Sequence, residues 1–421
     1  MKKKIVSALL VSAMAVSMLA GCGSSDSGSD SGDSKAEKEI TYWSMWNSTE
    51  NQAKVIQEAA DAYEEETGVH VNIEWKGRDV KTLIGSALQA GEDIDLYDDD
   101  YQRVVQNTKD YLADLTDMAA TADYESHAMP VIYEKALSWG DGKLYTIPYQ
   151  IYTTGVWYNK EIFKEAGVED AAPATWTEFL DVCQKIKDAG YNPITCNSDT
   201  SVELLYGFQL ARYIGQDAVL DCYNNGSWSE VPEAKKAAED IATLVDKGYF
   251  SPNAPANYPD GQNEIGFGES AMILNASWIP NEINQNTGET IDWGFFPWPA
   301  VEGGVDGTEA SMVGSQGFGI PAKSEMQQEA FDFAMMIATG DYDLKMAESV
   351  SSIPSDTANT EWPAAIAEAQ PYFEKMTKPY DWAVGLETDS NIAPIVSENI
   401  INLVKGDVTP DEFIANLDAT K

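Results

Sequence analysis

Glu39-Ile40-Thr41-Tyr42-Trp43-Ser44-Met45, Val69-His70-Val71-Asn72-Ile73-Glu74-Trp75 and Ile94-Asp95-Leu96-Tyr97 are the stretches that decide the fold. The first reads as a strand. After it, Ala53, Ile56, Ala60 and Tyr63 recur at helical spacing, and Gly68 ends the run. Val69, Val71, Ile73 and Trp75 then alternate with His70, Asn72 and Glu74, which predicts a strand with one buried face. A second helix is predicted from about Arg78 to Ala90, stopping at Gly91 ahead of the third strand. Strand–helix–strand–helix–strand at this spacing implies a parallel sheet with crossover helices, an α/β fold.

Upstream, three lysines precede an apolar run from Ile5 to Leu19 and the sequence Leu19-Ala20-Gly21-Cys22. A basic start, a short apolar stretch and small residues at a cut site make a secretory signal, here residues 1–21. The run is too short for a membrane-spanning helix. Cys22 after Ala-Gly resembles a bacterial lipobox, so Cys22 is expected to carry the lipid that holds the mature chain outside the cytoplasmic membrane. The Gly/Ser/Asp segment within 22–38 has nothing to build a core from and reads as a flexible tether.

About 380 residues remain, more than one ordinary core takes, so two domains are expected. The chain has 69 acidic and 27 basic residues, a formal net charge of −42. That field disfavours nucleic acid and anionic lipid surfaces. The chain has 12 Trp and 20 Tyr; Trp in this number exceeds what core packing usually asks for, and spare Trp and Tyr rings can serve as flat platforms for sugars. After Cys22 come only Cys183, Cys196 and Cys222, with no metal-binding spacing, and buried unpaired thiols are expected. The two histidines, His70 and His127, come with no His-Glu-x-x-His, and neither Gly-x-Ser-x-Gly nor a P-loop is present. Neither enzyme activity, cofactor nor metal is therefore expected. Paired carboxylates of a glycoside hydrolase are the rival reading, but with 69 acids such pairs are inevitable. Downstream, Thr175-Trp176-Thr177-Glu178 and Thr409-Pro410-Asp411-Glu412 match capping boxes, and Phe331, Ala334, Met335 and Ala338 show helical spacing.

Six passages in order resemble the extracellular solute-binding proteins of ABC importers, in the large family that includes maltose-binding protein. They are Thr41-Tyr42-Trp43-Ser44-Met45-Trp46; the passage from Ala62 through Thr67-Gly68-Val69 to Val71; Gly91-Glu92-Asp93-Ile94-Asp95-Leu96; Leu144-Tyr145-Thr146-Ile147-Pro148-Tyr149 with Trp157-Tyr158-Asn159-Lys160-Glu161; Pro173-Ala174-Thr175-Trp176-Thr177-Glu178; and Gly268-Glu269-Ser270-Ala271-Met272-Ile273 with Trp278. The resemblance implies a two-lobed, periplasmic-binding-protein-like α/β fold with discontinuous lobes, a hinge and a ligand cleft between them. It places one lobe at 39–150 and 298–321, the other at 151–297 and 322–421, with crossings near 148–153, 296–300 and 320–321. It further implies a monomer that closes on a neutral carbohydrate and hands it to a membrane permease. A non-sugar solute such as a polyamine or a peptide is the alternative.

A sugar site needs flat apolar faces and planar polar side chains that bridge hydroxyls. The loop after the first strand offers Trp46, Asn47 and Glu50, and the end of the third offers Tyr97, Asp98, Asp99 and Asp100. Tyr97 and Asp100 fall where the family places an aromatic and a sugar-bonding Asp, although the acidic run also reads as a solvated turn. Gln150, Tyr152 and Thr153 lie at the first crossing, as contacts or as hinge packing. Asn275 and Trp278 follow the apolar Ala271–Leu274 stretch, and Trp278 matches a stacking Trp of the family. The glycines of Gly314-Ser315-Gln316-Gly317-Phe318-Gly319 suit either a close approach to the cleft or a flexible hinge. Trp382 and Trp362 lie where a closing aromatic is expected.

Overall fold

The computed structural model describes residues 38–169, 172–389 and 391–420; the signal, Cys22 and the tether up to residue 37 lie outside them. Among the described residues nine strands form the framework: β1 (Lys38–Ser44), β2 (Val69–Trp75), β3 (Leu96–Asp100), β4 (Ile147–Asn159), β5 (Asn192–Ile194), β6 (Ser270–Ala276), β7 (Trp293–Phe296), β8 (Ala310–Gly319) and β9 (Lys378–Tyr380). β1 pairs with β2 and β3 in parallel, as the crossover pattern requires. Helix Asn51–Thr67 links β1 to β2, and Gly68 ends it at φ 73°, donating its N–H to the Glu64 carbonyl. Helix Val80–Ala90 links β2 to β3 and ends the same way at Gly91. A left-handed residue at this position satisfies an otherwise orphaned carbonyl, and only glycine adopts it without steric cost. Both expected capping boxes form, at Thr175 with Glu178 and at Thr409 with Glu412.

The strand order is β2-β1-β3-β8-β4-β6-β5, with β7 on β4 and β9 on β8. β8 runs antiparallel to β3 and β4, and β4 antiparallel to β6 and β7. The sheet is therefore mixed where the two halves of the chain meet. Two apolar cores flank this junction. One gathers Ile40, Tyr42, Ile56, Tyr149 and Phe318. The other gathers Phe163, Phe179, Tyr206, Trp228, Trp298 and Phe413. β4 gives Ile151 to the first and Tyr152 to the second, while its partner β8 gives Val313 to the first and Met312 to the second. The two strands pass between the cores side by side, with Tyr152 paired to Gly314 and Thr153 to Val313.

One expectation fails. Residues 322–421 do not all belong with the second core. Helices Gln327–Ala338 and Gly340–Val350 lie on helix Asn51–Thr67. Phe333 packs against Tyr42 and Tyr63 at 6.1 and 5.5 Å between ring centroids, the Tyr63 hydroxyl donates to the Glu329 carbonyl at 3.0 Å, and Lys345 pairs with Glu58. The physical reason is that β8 delivers the chain back to the first core. The apolar face of Phe331, Phe333, Ala334 and Ile337 then covers the nearest exposed side of it. The chain rejoins the second core only at β9, beside Ala310–Met312. Cys183, Cys196 and Cys222 are buried free thiols, as expected.

Candidate functional site

The carboxyl ends of β1 and β2, the switch region of β4 and β8, and the head of helix Ile279–Thr287 surround a cavity of about 520 Å³. A second cavity of about 180 Å³ adjoins it, and the two share Met45, Arg78, Tyr152, Trp278 and Gln316. Open α/β folds bind ligands at strand carboxyl ends for a topological reason: loops there diverge and leave a crevice.

Of the expected residues, Trp46, Glu50, Gln150, Tyr152 and Trp278 line the larger cavity, and Asp99, Asp100, Tyr152, Trp278 and Trp382 the smaller. Three rings form one aromatic cluster. Tyr152 meets Trp278 and Trp382 edge-on, and Trp278 stacks on Trp382. Trp278 is the N-cap residue of helix Ile279–Thr287, which also turns Asn281, Glu282 and Gln285 into the cavity. The Trp382 indole donates to Glu387 at 2.7 Å, and the preceding Asp381 pairs with Lys135 of helix Pro130–Trp139 on the first core. Ala383 and Val384 follow at φ 47° and 56°. A left-handed valine is strained backbone that persists only where its surroundings hold it.

β4 carries one residue more than β8 between Tyr149 and Ile151. That extra residue is Gln150, held at φ 52°. A bulge re-aims side chains, and here both Gln150 and Tyr152 reach the cavity. The side-chain oxygens of Gln150 and Gln316 are buried there without a hydrogen-bond partner. Gly314 is needed beneath Tyr152: a Cβ at that position would lie 2.2 Å from the phenol oxygen. The glycine run is thus part of β8, strand against which the rings lie.

The charges of the site are largely satisfied within it. Arg78 donates to the Met45 carbonyl at 2.5 Å and to Glu50 at 2.9 Å, and its guanidinium lies 4.5 Å from the centre of the Trp46 ring. Arg103 pairs with Asp99 at 2.6 Å. Glu282 accepts from Gln262 at 2.9 Å and from Tyr258 at 3.4 Å, and burial raises its pKa. Asp100 caps helix Tyr101–Thr108 through the N–H groups of Gln102 and Arg103, and burial raises its pKa too.

Four expected contacts point elsewhere. Tyr97 is fully buried, with its hydroxyl on Thr108. Asp98 is fully buried and accepts from the Met45 N–H and the Tyr149 hydroxyl. Asn275 is buried, donates to Ser201 at 2.9 Å and accepts from the Ala276 N–H, so its amide is spent on these partners. Asn47 lines neither cavity and donates to Glu50. Among the looser candidates, Thr153 is buried with its hydroxyl on the Met312 carbonyl, and Trp362 packs on Phe373. Sequence reasoning missed Arg78, Gln316 and the helix Ile279–Thr287 polar face. Arg78 follows the end of β2, where strand-end reasoning alone would have pointed.

Among the described residues, no group of three or more His, Cys, Asp or Glu is placed to hold a metal ion, and no helix is long and apolar enough to cross a membrane. The site offers aromatic faces, amides and paired charges, the equipment of binding.

The family model of bacterial extracellular solute-binding proteins matches residues 46–339. The chain belongs to this family. Curated relatives of this solute-binding protein include the lactose-binding protein of Rhizobium radiobacter, 24% identical over 322 residues, 72% of this chain and 71% of that one. Another is the melibiose/raffinose/stachyose-binding protein MelE of Bacillus subtilis, 24% identical over 390 residues, 86% of this chain and 85% of that one. Among solved structures, apo RafE from Streptococcus pneumoniae superposes with a TM-score of 0.74 at 17% identity, covering 91% of this chain and 97% of that chain, which establishes the two-lobed fold. The solute-binding protein works outside the cytoplasm and is a binding protein, not an enzyme.

Proposed function

We propose that this solute-binding protein captures a neutral carbohydrate, a mono- or oligosaccharide, between its two cores and delivers it to the permease of an ABC importer. The observation that carries this reading is the pairing of the Tyr152–Trp278–Trp382 cluster with the unpartnered side-chain oxygens of Gln150 and Gln316 across the two adjoining cavities. Rings present apolar faces to the C–H surface of a pyranose. Buried acceptors without partners cost free energy until a ligand hydroxyl donates to them. Neutrality follows from the internal pairing of Arg78 with Glu50 and Arg103 with Asp99, which leaves little net charge for an ionic ligand to answer. The sugars for which the lactose-binding protein and MelE are named support the class.

In this reading the contacts are Trp46, Glu50, Arg78, Asp100, Gln150, Tyr152, Trp278, Gln316 and Trp382. One lobe is built on the first core and includes 327–373; the other is built on the second core and includes 378–420. β4 and β8 are the hinge at their switch between cores. Ligand contacts made from both sides favour the closed state, and closure is what the permease reads. The protein acts as a monomer, tethered by lipid on Cys22. A thermal-shift screen against mono- and oligosaccharides tests the reading. A bound sugar raises the melting temperature by mass action. Shifts with polyamines or peptides alone, or release of reducing sugar during incubation, would replace it with the rival readings.

A further inference from the structure

The loop that carries Met45 and Trp46 is held from below by one carboxylate. Asp98, fully buried on β3, accepts the Met45 N–H at 2.8 Å with Oδ1 and the Tyr149 hydroxyl with Oδ2. The Tyr149 oxygen in turn accepts the Trp46 indole N–H at 2.7 Å. The direction of this chain is fixed by chemistry. An indole nitrogen can only donate, so the phenol oxygen must accept, and the single phenol hydrogen must go to Asp98. Met45 and Trp46 also hold Arg78, one through its carbonyl and the other beneath the guanidinium, beside its ion pair with Glu50. Arg78 lines both cavities.

We propose that Asp98 is a positioning residue: through Met45 and the Tyr149–Trp46 relay it fixes the Arg78 guanidinium at the ligand cleft. It touches no ligand itself. The proposal rests on the carbohydrate reading of the cleft for its binding readout only.

The arrangement makes the relay sensitive to pH. Around Asp98 stand the phenols of Tyr42 on β1 and Tyr149 on β4, the Ser44 hydroxyl and the Met45 N–H. Its neighbour Asp99 takes Arg103 instead. Burial pushes the Asp98 carboxyl up to about 6 against the hydrogen bonds that lower it. A proton on Oδ2 would face the phenol hydrogen donor to donor, and the relay would loosen. Glu282 and Asp100 also face the cleft with raised pKa values, so the wild-type pH profile alone does not isolate Asp98.

The test compares the full chain with Asp98→Asn and Tyr149→Phe. With the tightest saccharide of the screen, both variants bind severalfold to tenfold more weakly at pH 7 while the ligand-free melting temperature of Asp98→Asn does not fall. The component of the pH dependence centred near 6 disappears in Asp98→Asn. A ligand-free readout is the indole N–H resonance of Trp46, assigned by its absence in Trp46→Phe. It titrates near pH 6 in wild type and is flat in Asp98→Asn. A flat wild-type resonance, or variants that match wild-type affinity and pH profile, would overturn the proposal. If no saccharide binds, the carbohydrate reading fails, and the resonance still decides the role of Asp98. If Asp98→Asn does not fold, Tyr149→Phe affinity and the wild-type resonance decide it.

Discussion

Tyr152 meets Trp278 edge-on, with ring centroids 5.2 Å apart and planes at 66°. One stands on the strand that passes between the cores, the other at the head of helix Ile279–Thr287. Trp382 completes the set, 6.0 Å from Tyr152 and 6.1 Å from Trp278 at 25° to its plane. Rings that brace one another keep their faces in place without a ligand, which lowers the ordering entropy that binding costs.

Trp278→Ala removes the centre of this cluster. Stacking contributes about 0.5–1.5 kcal/mol beyond buried area, and the lost area adds to it. Affinity is expected to fall at least tenfold. Trp278 is half-buried and touches both cores, so ligand-free stability falls by less than the roughly 3–5 kcal/mol typical of a core Trp. Calorimetry with denaturant titration checks both. A full core-sized loss of stability with unchanged affinity per folded molecule would show that the ring is only packing.

Gln150→Gly separates backbone from side chain. The left-handed backbone at φ 52° disfavours glutamine by about 1 kcal/mol and suits glycine, whose greater freedom in the unfolded chain offsets a similar amount. Melting temperature is therefore expected to stay nearly constant. Loss of one hydrogen bond worth about 0.5–1.5 kcal/mol lowers affinity roughly two- to tenfold. A destabilised protein with intact binding would contradict the assignment.

Glu203, buried in helix Thr200–Ile214, has its carboxyl pushed up to about 7 chiefly by desolvation, and its Oε2 has no partner. The folded protein thus holds this proton more tightly than the unfolded chain. The protonated group favours folding below the usual glutamate range, and that contribution is lost as pH rises towards 7. Glu203→Gln, which cannot ionise, is expected to be more stable than wild type at pH 8 by a few kcal/mol at most and nearly equal at pH 4. Denaturant melts at the two pH values check it; a variant less stable at pH 8 would contradict it.

Cys22→Ser is expected to leave the mature protein without lipid and shed to the medium. Fractionation after a high-salt wash reads this directly. Retention in the membrane pellet would remove the anchor from the account.

Local pattern made β1 to β3 and their helices legible, because apolar spacing and a terminal glycine fix each element without help from elsewhere. Which way a strand-end side chain turns was not legible. Asp98, Asp99 and Asp100 are consecutive carboxylates with three fates: under the Met45 loop, on Arg103, and at a helix cap. Sequence spacing read Phe331, Ala334, Met335 and Ala338 as helical but held no information on which core they would cover. Gln316 was hidden among glycines that drew attention to backbone, and Gln150 became exceptional only through a bulge that needs its partner strand to exist.

Calorimetric titration of the full mature chain with neutral saccharides, polyamines and peptides tests the central claim most directly. The account predicts one-to-one binding of a neutral saccharide near micromolar affinity, about −8 kcal/mol. Heats confined to charged amines or peptides, with every saccharide silent, would contradict it.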